Sequence, residues 1–96
     1  MPKLRVATIG AGSIAQKLHL PGYARNPHVE IIACADPDPR RWPEVESQFG
    51  VTRFYEDYRV MLDNEALDAV SICSPNVFHA EQACVALNLG LHVMCE

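Results

Sequence analysis

Short apolar runs alternate along this 96-residue chain with segments whose apolar residues recur every three to four positions. Leu4–Ile9 (Leu-Arg-Val-Ala-Thr-Ile) reads as a first strand that ends at Gly10. A helical stretch follows from about Ile14 and meets Leu20-Pro21-Gly22, where the proline removes a backbone donor and predicts a kink or a split. Val29–Ala35 (Val-Glu-Ile-Ile-Ala-Cys-Ala) is a second strand, rich in β-branched and small residues, and Asp36-Pro37-Asp38-Pro39 supplies turn chemistry after it. Trp42, Val45 and Phe49 stand at i, i+3 and i+7 and mark one apolar face of a helix that Gly50 closes. Residues 53–55 make a short third strand, and Asp57 can cap a brief helical turn through Leu62. Residues 69–73 (Ala-Val-Ser-Ile-Cys) are a fourth strand. Asn76 then predicts the N-cap of a helix to Leu89 in which Ala80, Ala83, Cys84 and Leu87 share one face. Gly90 ends that helix, and residues 91–95 begin a fifth strand.

Strands that are apolar on both faces and separated by helices predict a parallel sheet covered on both sides, an α/β fold. Right-handed crossovers leave few ways to wind it, and a doubly wound sheet in the order 3-2-1-4-5 is the simplest.

Composition narrows the function classes. Half-apolar content (49%) with 21% charged residues fits one small globular domain and argues against disorder. A net charge of −4 offers no basic stripe for nucleic acid or an anionic membrane. No apolar run approaches the ~20 residues that cross a bilayer, and the opening Met-Pro-Lys-Leu-Arg enters a strand pattern without a signal-peptide core. The expectation is a soluble, cytoplasmic protein. Cys34, Cys73, Cys84 and Cys95 are widely spaced, with no Cys-x-x-Cys pair. They read as reduced structural thiols, three of them in buried strand runs.

The candidate chemistry lies at the carboxyl ends of the strands. Gly10-Ala11-Gly12-Ser13-Ile14-Ala15 matches G-x-G-x-x-G/A directly after strand one. Gly10 permits a tight turn, Gly12 lets backbone approach a pyrophosphate, and Ala15 allows close helix–strand packing. The following helix start offers unsatisfied N–H groups to phosphates. Glycines after a strand also occur in plain βα turns, so the motif alone is weak. Asp36 strengthens it, falling 21 residues after Ala15 at the end of strand two, where a carboxylate can accept from ribose hydroxyls and would repel a 2′-phosphate. It is equally suited to initiate the turn before Pro37. Asp36 favours NAD over NADP, although Arg40 and Arg41 lie near enough to offset a phosphate. Ser74-Pro75-Asn76 comes at the same sheet edge; Asn76 can contact a cofactor or cap its helix, and spacing alone favours the cap.

Taken together, Ser71-Ile72-Cys73-Ser74-Pro75-Asn76, His79, Ala86-Leu87 and the run from Gly90 to Glu96 (Gly-Leu-His-Val-Met-Cys-Glu) resemble the Gfo/Idh/MocA oxidoreductases. The Gly-x-Gly-x-x-Ala, the Leu-Pro of the first helix, the Ala-Asp-Pro-Asp after strand two and Leu67-Asp68-Ala69-Val70 are similar too, so the resemblance covers essentially the whole chain. It implies a Rossmann-type, NAD(P)-dependent oxidoreductase acting on a sugar, polyol or related small alcohol. By position, Gly10, Gly12, Ser13 and Ile14 would line the pyrophosphate and Asp36 the adenosine ribose. Ser74, Pro75 and Asn76 would lie beside the dinucleotide, His79 would support their loop, and Glu96 would sit near the nicotinamide ribose. The family's substrate-binding lysine would follow Glu96, so no catalytic residue is assigned. Residues 1–96 are then expected to be an incomplete dinucleotide-binding domain, cut before strand six and without a substrate domain. Such a fragment should be inactive, with a small-molecule substrate and homo-oligomer formation belonging to a full-length protein. His19 and His28 read as surface or helix-end residues, and no histidine stands at metal-ligand spacing from cysteines or carboxylates, so no metal is expected. A non-catalytic NAD(P)-binding regulatory module is the alternative, because fold alone does not decide function.

Overall fold

The first apolar run becomes the centre of the sheet. In a computed structural model that describes residues 2–95, β1 (Leu4–Ile9) pairs in parallel with β2 (Val29–Ala35) on one side and β4 (Ala69–Ile72) on the other. β3 (Phe54–Tyr55) extends the sheet beyond β2, and β5 (His92–Cys95) extends it beyond β4. The order β3-β2-β1-β4-β5 is the doubly wound arrangement that right-handed crossovers predict. β3 begins one residue later than expected, β4 ends one earlier and β5 begins one later, differences of the size by which strand ends ordinarily vary.

Alternation along the strands divides the core in two. Ala7, Ile9, Ala33, Ala35, Val70 and Ile72 point to one face, where Met61 and Leu62 of α3 (Tyr58–Asn64) and Ala86 of α4 (His79–Asn88) cover them. Cys34 points to the other face with Ala11, Ala15 and Leu20, under Val45 of α2 (Trp42–Phe49). The register between β1 and β2 skips Ile32, pairing Val6 with Ile31 and Ala7 with Ala33. This bulge keeps Ala33 and Ala35 on the same face as Ala7 and Ile9. The small side chains at 7, 33 and 35 let the covering helices approach closely.

The first helix shows how the chain accommodates Pro21. Residues Ala15–His19 form one π turn, closed by the Leu20 N–H on the Ala15 carbonyl, and α1 (Leu20–Ala24) then starts with Pro21 in its first turn. A missing N–H is tolerated there, because first-turn donors have no intrahelical partner. The expected break is thus a widening one turn upstream of the proline.

Two readings of the last helix are corrected. Asn76 is not an N-cap: a 3₁₀ turn over Asn76–Phe78 enters α4, Pro75 occupies the cap position with extended backbone, and its carbonyl accepts from Phe78 N–H at 3.0 Å. The buried face is also rotated from the one expected. Gln82 and Ala86 are buried and Ala83 half-buried, whereas Ala80, Cys84 and Leu87 are exposed. The tighter 3₁₀ entry shifts the helical phase, and the Ser74 hydroxyl draws the Gln82 side chain inward. No helix among the described residues is long and apolar enough to cross a membrane.

Candidate cofactor-binding site

The carboxyl ends of β1, β2 and β4 converge on the loop after β1. Gly10 there has φ +106°, and a Cβ on it would lie 2.8 Å from the Cys73 carbonyl carbon and 2.9 Å from the Ser74 nitrogen. Left-handed backbone and direct contact with the backbone that crosses just after β4 together require glycine. The tight turn was legible in the motif; the crossing of residues 73 and 74 over it was not.

Asp36 organises the next residues. It is buried, and its Oδ2 accepts the Ala11 N–H at 2.8 Å while its Oδ1 accepts the Asp38 N–H at 2.8 Å. It therefore initiates the turn after β2 and clamps the glycine-rich loop at once. A carboxylate offers about four lone-pair sites, so these bonds leave acceptor capacity for hydroxyl donors. Gln16, which the motif does not flag, steadies the same loop by donating from Nε2 to the Ala11 carbonyl at 2.8 Å.

Gly12 presents its bare face to Arg41: a Cβ at this position would run into the guanidinium. Arg41 Nη1 stands 3.6 Å from Asp36 Oδ2. Its neighbour Arg40 is held instead by Asp38, which accepts Nε at 2.9 Å and Nη2 at 3.0 Å. Those bonds to Arg40 hold the Asp38 carboxyl below its ordinary value. Ser13 and Ile14 are exposed at the helix entry.

On the β4 side, the Ser74 hydroxyl bonds to Gln82 and its carbonyl accepts His79 Nε2 at 2.5 Å. A carbonyl only accepts, so Nε2 carries the proton; in the neutral ring Nδ1 then accepts from the Cys95 thiol, 3.2 Å away. His79 in this way joins the 74–76 loop to β5. Pro75 and Asn76 are exposed beside it. Glu96 lies outside the described residues.

An open cleft of about 980 Å³ runs between these loops, lined among others by Ile9, Gly10, Asp36, Pro37, Ser74 and Phe78. A second cavity of about 450 Å³ lies beyond, lined by Gly12, Ser13 and Lys17, and Arg41 borders both. The larger volume falls in the range of small-molecule and cofactor sites. A glycine-rich turn, a carboxylate with unused lone pairs and an apolar floor fit a dinucleotide.

The cysteines divide differently from expectation. Cys34 is buried, accepts the Thr8 hydroxyl at 3.1 Å, and has its thiol pushed up to about 11 by burial, so it stays protonated. Cys95, read as a buried strand residue, is exposed, because β5 forms the outer edge of the sheet; Cys73 is half-buried at the end of β4. Among the described residues no three histidines, cysteines or carboxylates cluster as a metal site.

A parallel sheet with a glycine loop clamped by the carboxylate at the end of its second strand defines a dinucleotide-binding domain of the Rossmann class. Residues 4–96 match the model of the Gfo/Idh/MocA oxidoreductase family, NAD-binding Rossmann fold, and the chain belongs to that family. Its cofactor is a nicotinamide dinucleotide. The chain is 40% identical over 93 residues to a D-glucoside 3-dehydrogenase of Escherichia coli, covering 97% of this chain and 26% of that protein. It is 35% identical over 88 residues to a D-xylose 1-dehydrogenase (NADP(+)) of Haloferax volcanii, covering 92% and 27%. Among solved structures, scyllo-inositol dehydrogenase from Lactobacillus casei with bound NAD(H) and scyllo-inositol superposes with a TM-score of 0.89 at 29% identity, covering 97% and 27%. A variant of a 3-ketoreductase from Actinomadura kijaniata in complex with TDP-benzene and NADP superposes with a TM-score of 0.87 at 32% identity, covering 97% and 29%. This chain thus spans about a quarter of the length of these relatives.

Proposed function

We propose that this chain is the dinucleotide-binding part of an oxidoreductase acting on a CH–OH group of a sugar, polyol or related small alcohol. The Asp36–Ala11 clamp carries the reading, because it sets a buried carboxylate against the glycine-rich loop at one sheet edge. The substrate class rests on the dehydrogenases and reductases to which the chain is similar.

In this reading Gly10, Gly12, Ser13 and Ile14 hold the pyrophosphate and Asp36 holds the adenosine ribose. Ser74, Pro75 and Asn76 flank the dinucleotide, His79 steadies their loop, and Glu96 approaches the nicotinamide ribose. The nicotinamide, when bound, supplies hydride acceptance or donation. The chain's own residues bind and orient: Asp36 accepts from ribose hydroxyls, backbone N–H groups beyond Gly12 face phosphate, and Ile9 and Phe78 give the cleft an apolar wall. None of the described residues is assigned as the catalytic acid or base. The remainder of the site, the substrate and any homo-oligomer contact belong to parts of a longer protein, as the one-quarter coverage of the relatives supports. The same reading places the protein in the cytoplasm, away from nucleic acid and membranes, in keeping with its net charge of −4.

Titration of the 96-residue chain with NADH, followed by nicotinamide fluorescence, tests the reading together with an assay for dehydrogenase turnover on sugars and polyols. Saturable NADH binding without turnover is expected. Failure of both NADH and NADPH to bind would refute the cofactor assignment, and turnover above a blank would refute the division of labour.

A further inference from the structure

We propose that Gln16 is a positioning residue of the dinucleotide site: it turns the carbonyls of Ala11 and Gly12 away from the pyrophosphate, so that the Gly12 and Ser13 N–H groups meet it. The inference rests on the dinucleotide-site reading above and deepens it.

The glycine motif does not include Gln16, yet this residue grips the loop twice. Its side-chain Nε2 donates to the Ala11 carbonyl at 2.8 Å, and its backbone N–H donates to the Gly12 carbonyl at 3.0 Å. A carbonyl only accepts, so the NH2 of the amide, and not its oxygen, faces Ala11. Asp36 holds the Ala11 N–H at 2.8 Å from the other side. Three consecutive peptide planes, 10–11, 11–12 and 12–13, are thus fixed by named partners.

Peptide planarity converts these bonds into a direction. Among the described residues no peptide bond is cis, and in a trans peptide the carbonyl and the following N–H point opposite ways. With the Ala11 and Gly12 carbonyls both turned to Gln16, the N–H groups of Gly12 and Ser13 both turn away from it. Two successive backbone donors aimed together make a concavity suited to an anion, and their bonds to a charged phosphate oxygen are stronger than bonds between neutral groups. Without the side-chain bond, the Ala11 carbonyl loses its partner and the 11–12 peptide can rotate. Rotation presents a carbonyl oxygen to the phosphate and withdraws the Gly12 donor in one movement. Gln16 is half-buried and lines the smaller cavity together with Gly12 and Ser13. The ribose acceptor is held separately, because Asp36 Oδ1 takes the Asp38 N–H at 2.8 Å. Loss of the Gln16 amide should therefore weaken ligands that carry phosphate and spare those that do not.

The test compares NADH with adenosine, which has the ribose but no phosphate. Dissociation constants are measured by fluorescence for NADH and by amide shifts at residues 36–38 for adenosine, with circular dichroism as a check on folding. The chains are wild type, Gln16→Met, Gln16→Glu and Gln48→Met. Gln16→Met, similar in length but without a donor, is expected to weaken NADH by roughly fivefold to thirtyfold while adenosine stays within about twofold. The NADH-induced shifts of the Gly12 and Ser13 amides should shrink with it. Gln16→Glu, whose ionised carboxylate can only accept, should lose at least as much NADH affinity. Gln48→Met, on the wall of the same cavity, should change neither ligand. An equal loss for both ligands, no loss for NADH, or a Gln16→Met chain that no longer folds would overturn this inference alone. A wild-type chain that binds neither NADH nor NADPH would overturn the underlying site reading with it.

Discussion

Asp36 Oδ2 accepts the backbone N–H of Ala11 at 2.8 Å, so the end of β2 directly fixes the loop that follows β1. One buried carboxylate thus sets both the fold of the glycine loop and the acceptor offered to a ribose. Asp36→Ala leaves the buried Ala11 N–H without its partner, which costs about 1–3 kcal/mol. Urea unfolding should show that loss, and NADH affinity should fall at least roughly tenfold. Asp36→Asn, which keeps one side-chain oxygen, should recover more of the stability than of the affinity.

Gly10 and Gly50 both have left-handed backbone, but only one is crowded. A Cβ at Gly10 would strike the Cys73 carbonyl carbon at 2.8 Å, whereas one at Gly50 meets nothing within 4 Å. Gly50→Ala should cost about 1 kcal/mol, the backbone penalty alone. Gly10→Ala adds a backbone collision and should cost about 2–4 kcal/mol. Paired denaturation curves check the ranking; equal losses would show that the crossing at residues 73 and 74 is soft.

Glu65 gives the acid limb of stability a defined source. Burial alone would raise its carboxyl, but hydrogen bonds from Tyr55 Oη at 2.6 Å and Arg53 Nη1 at 2.7 Å outweigh it and hold the group below the ordinary 4.5. The unfolded chain therefore binds this proton more readily. The contribution is complete above about pH 4.5 and is lost as pH falls through the depressed folded value. Unfolding free energies of wild type and Glu65→Gln should converge as the pH drops below this point. A constant difference at all pH values would assign the effect elsewhere.

His79 links two segments that chain order separates. His79→Ala removes the Nε2–H bond to the Ser74 carbonyl and the contact with Cys95. A loss of about 0.5–1.5 kcal/mol is expected, together with faster amide hydrogen exchange at residues 74–78 and an unchanged rate in β1. Exchange that stays slow at residues 74–78 would show that the Ser74–Gln82 bond suffices.

Much of this was legible in the chain because its strands are apolar on both faces and its punctuation is strong. Leu4–Ile9 and Val29–Ala35 lie where the pattern put them, and Gly50 closes α2 as read. The glycine loop and Asp36 meet at one edge because parallel strands bring their carboxyl ends together. The departures all depend on contacts between distant segments. Local spacing made Asn76 a cap and put Cys84 and Leu87 on the inner face; the 3₁₀ entry after Pro75 and the Ser74–Gln82 bond decided otherwise. Gln16 has no motif signal, and the cover of Arg41 over Gly12 depends on the conformation of the turn after β2. The exposure of Cys95 follows from strand order at the sheet edge rather than from its apolar neighbours.

The central claim is that a nicotinamide dinucleotide occupies the edge where Gly12, Asp36 and Ser74 converge. Amide chemical shifts of the isotope-labelled chain, followed by NMR during NADH titration, test it most directly. The account predicts saturable shifts at residues 10–13, 36–38 and 74–76, with residues 26–29 at the opposite end of the sheet unmoved. Shifts centred on residues 26–29, or none at saturating NADH, would contradict it.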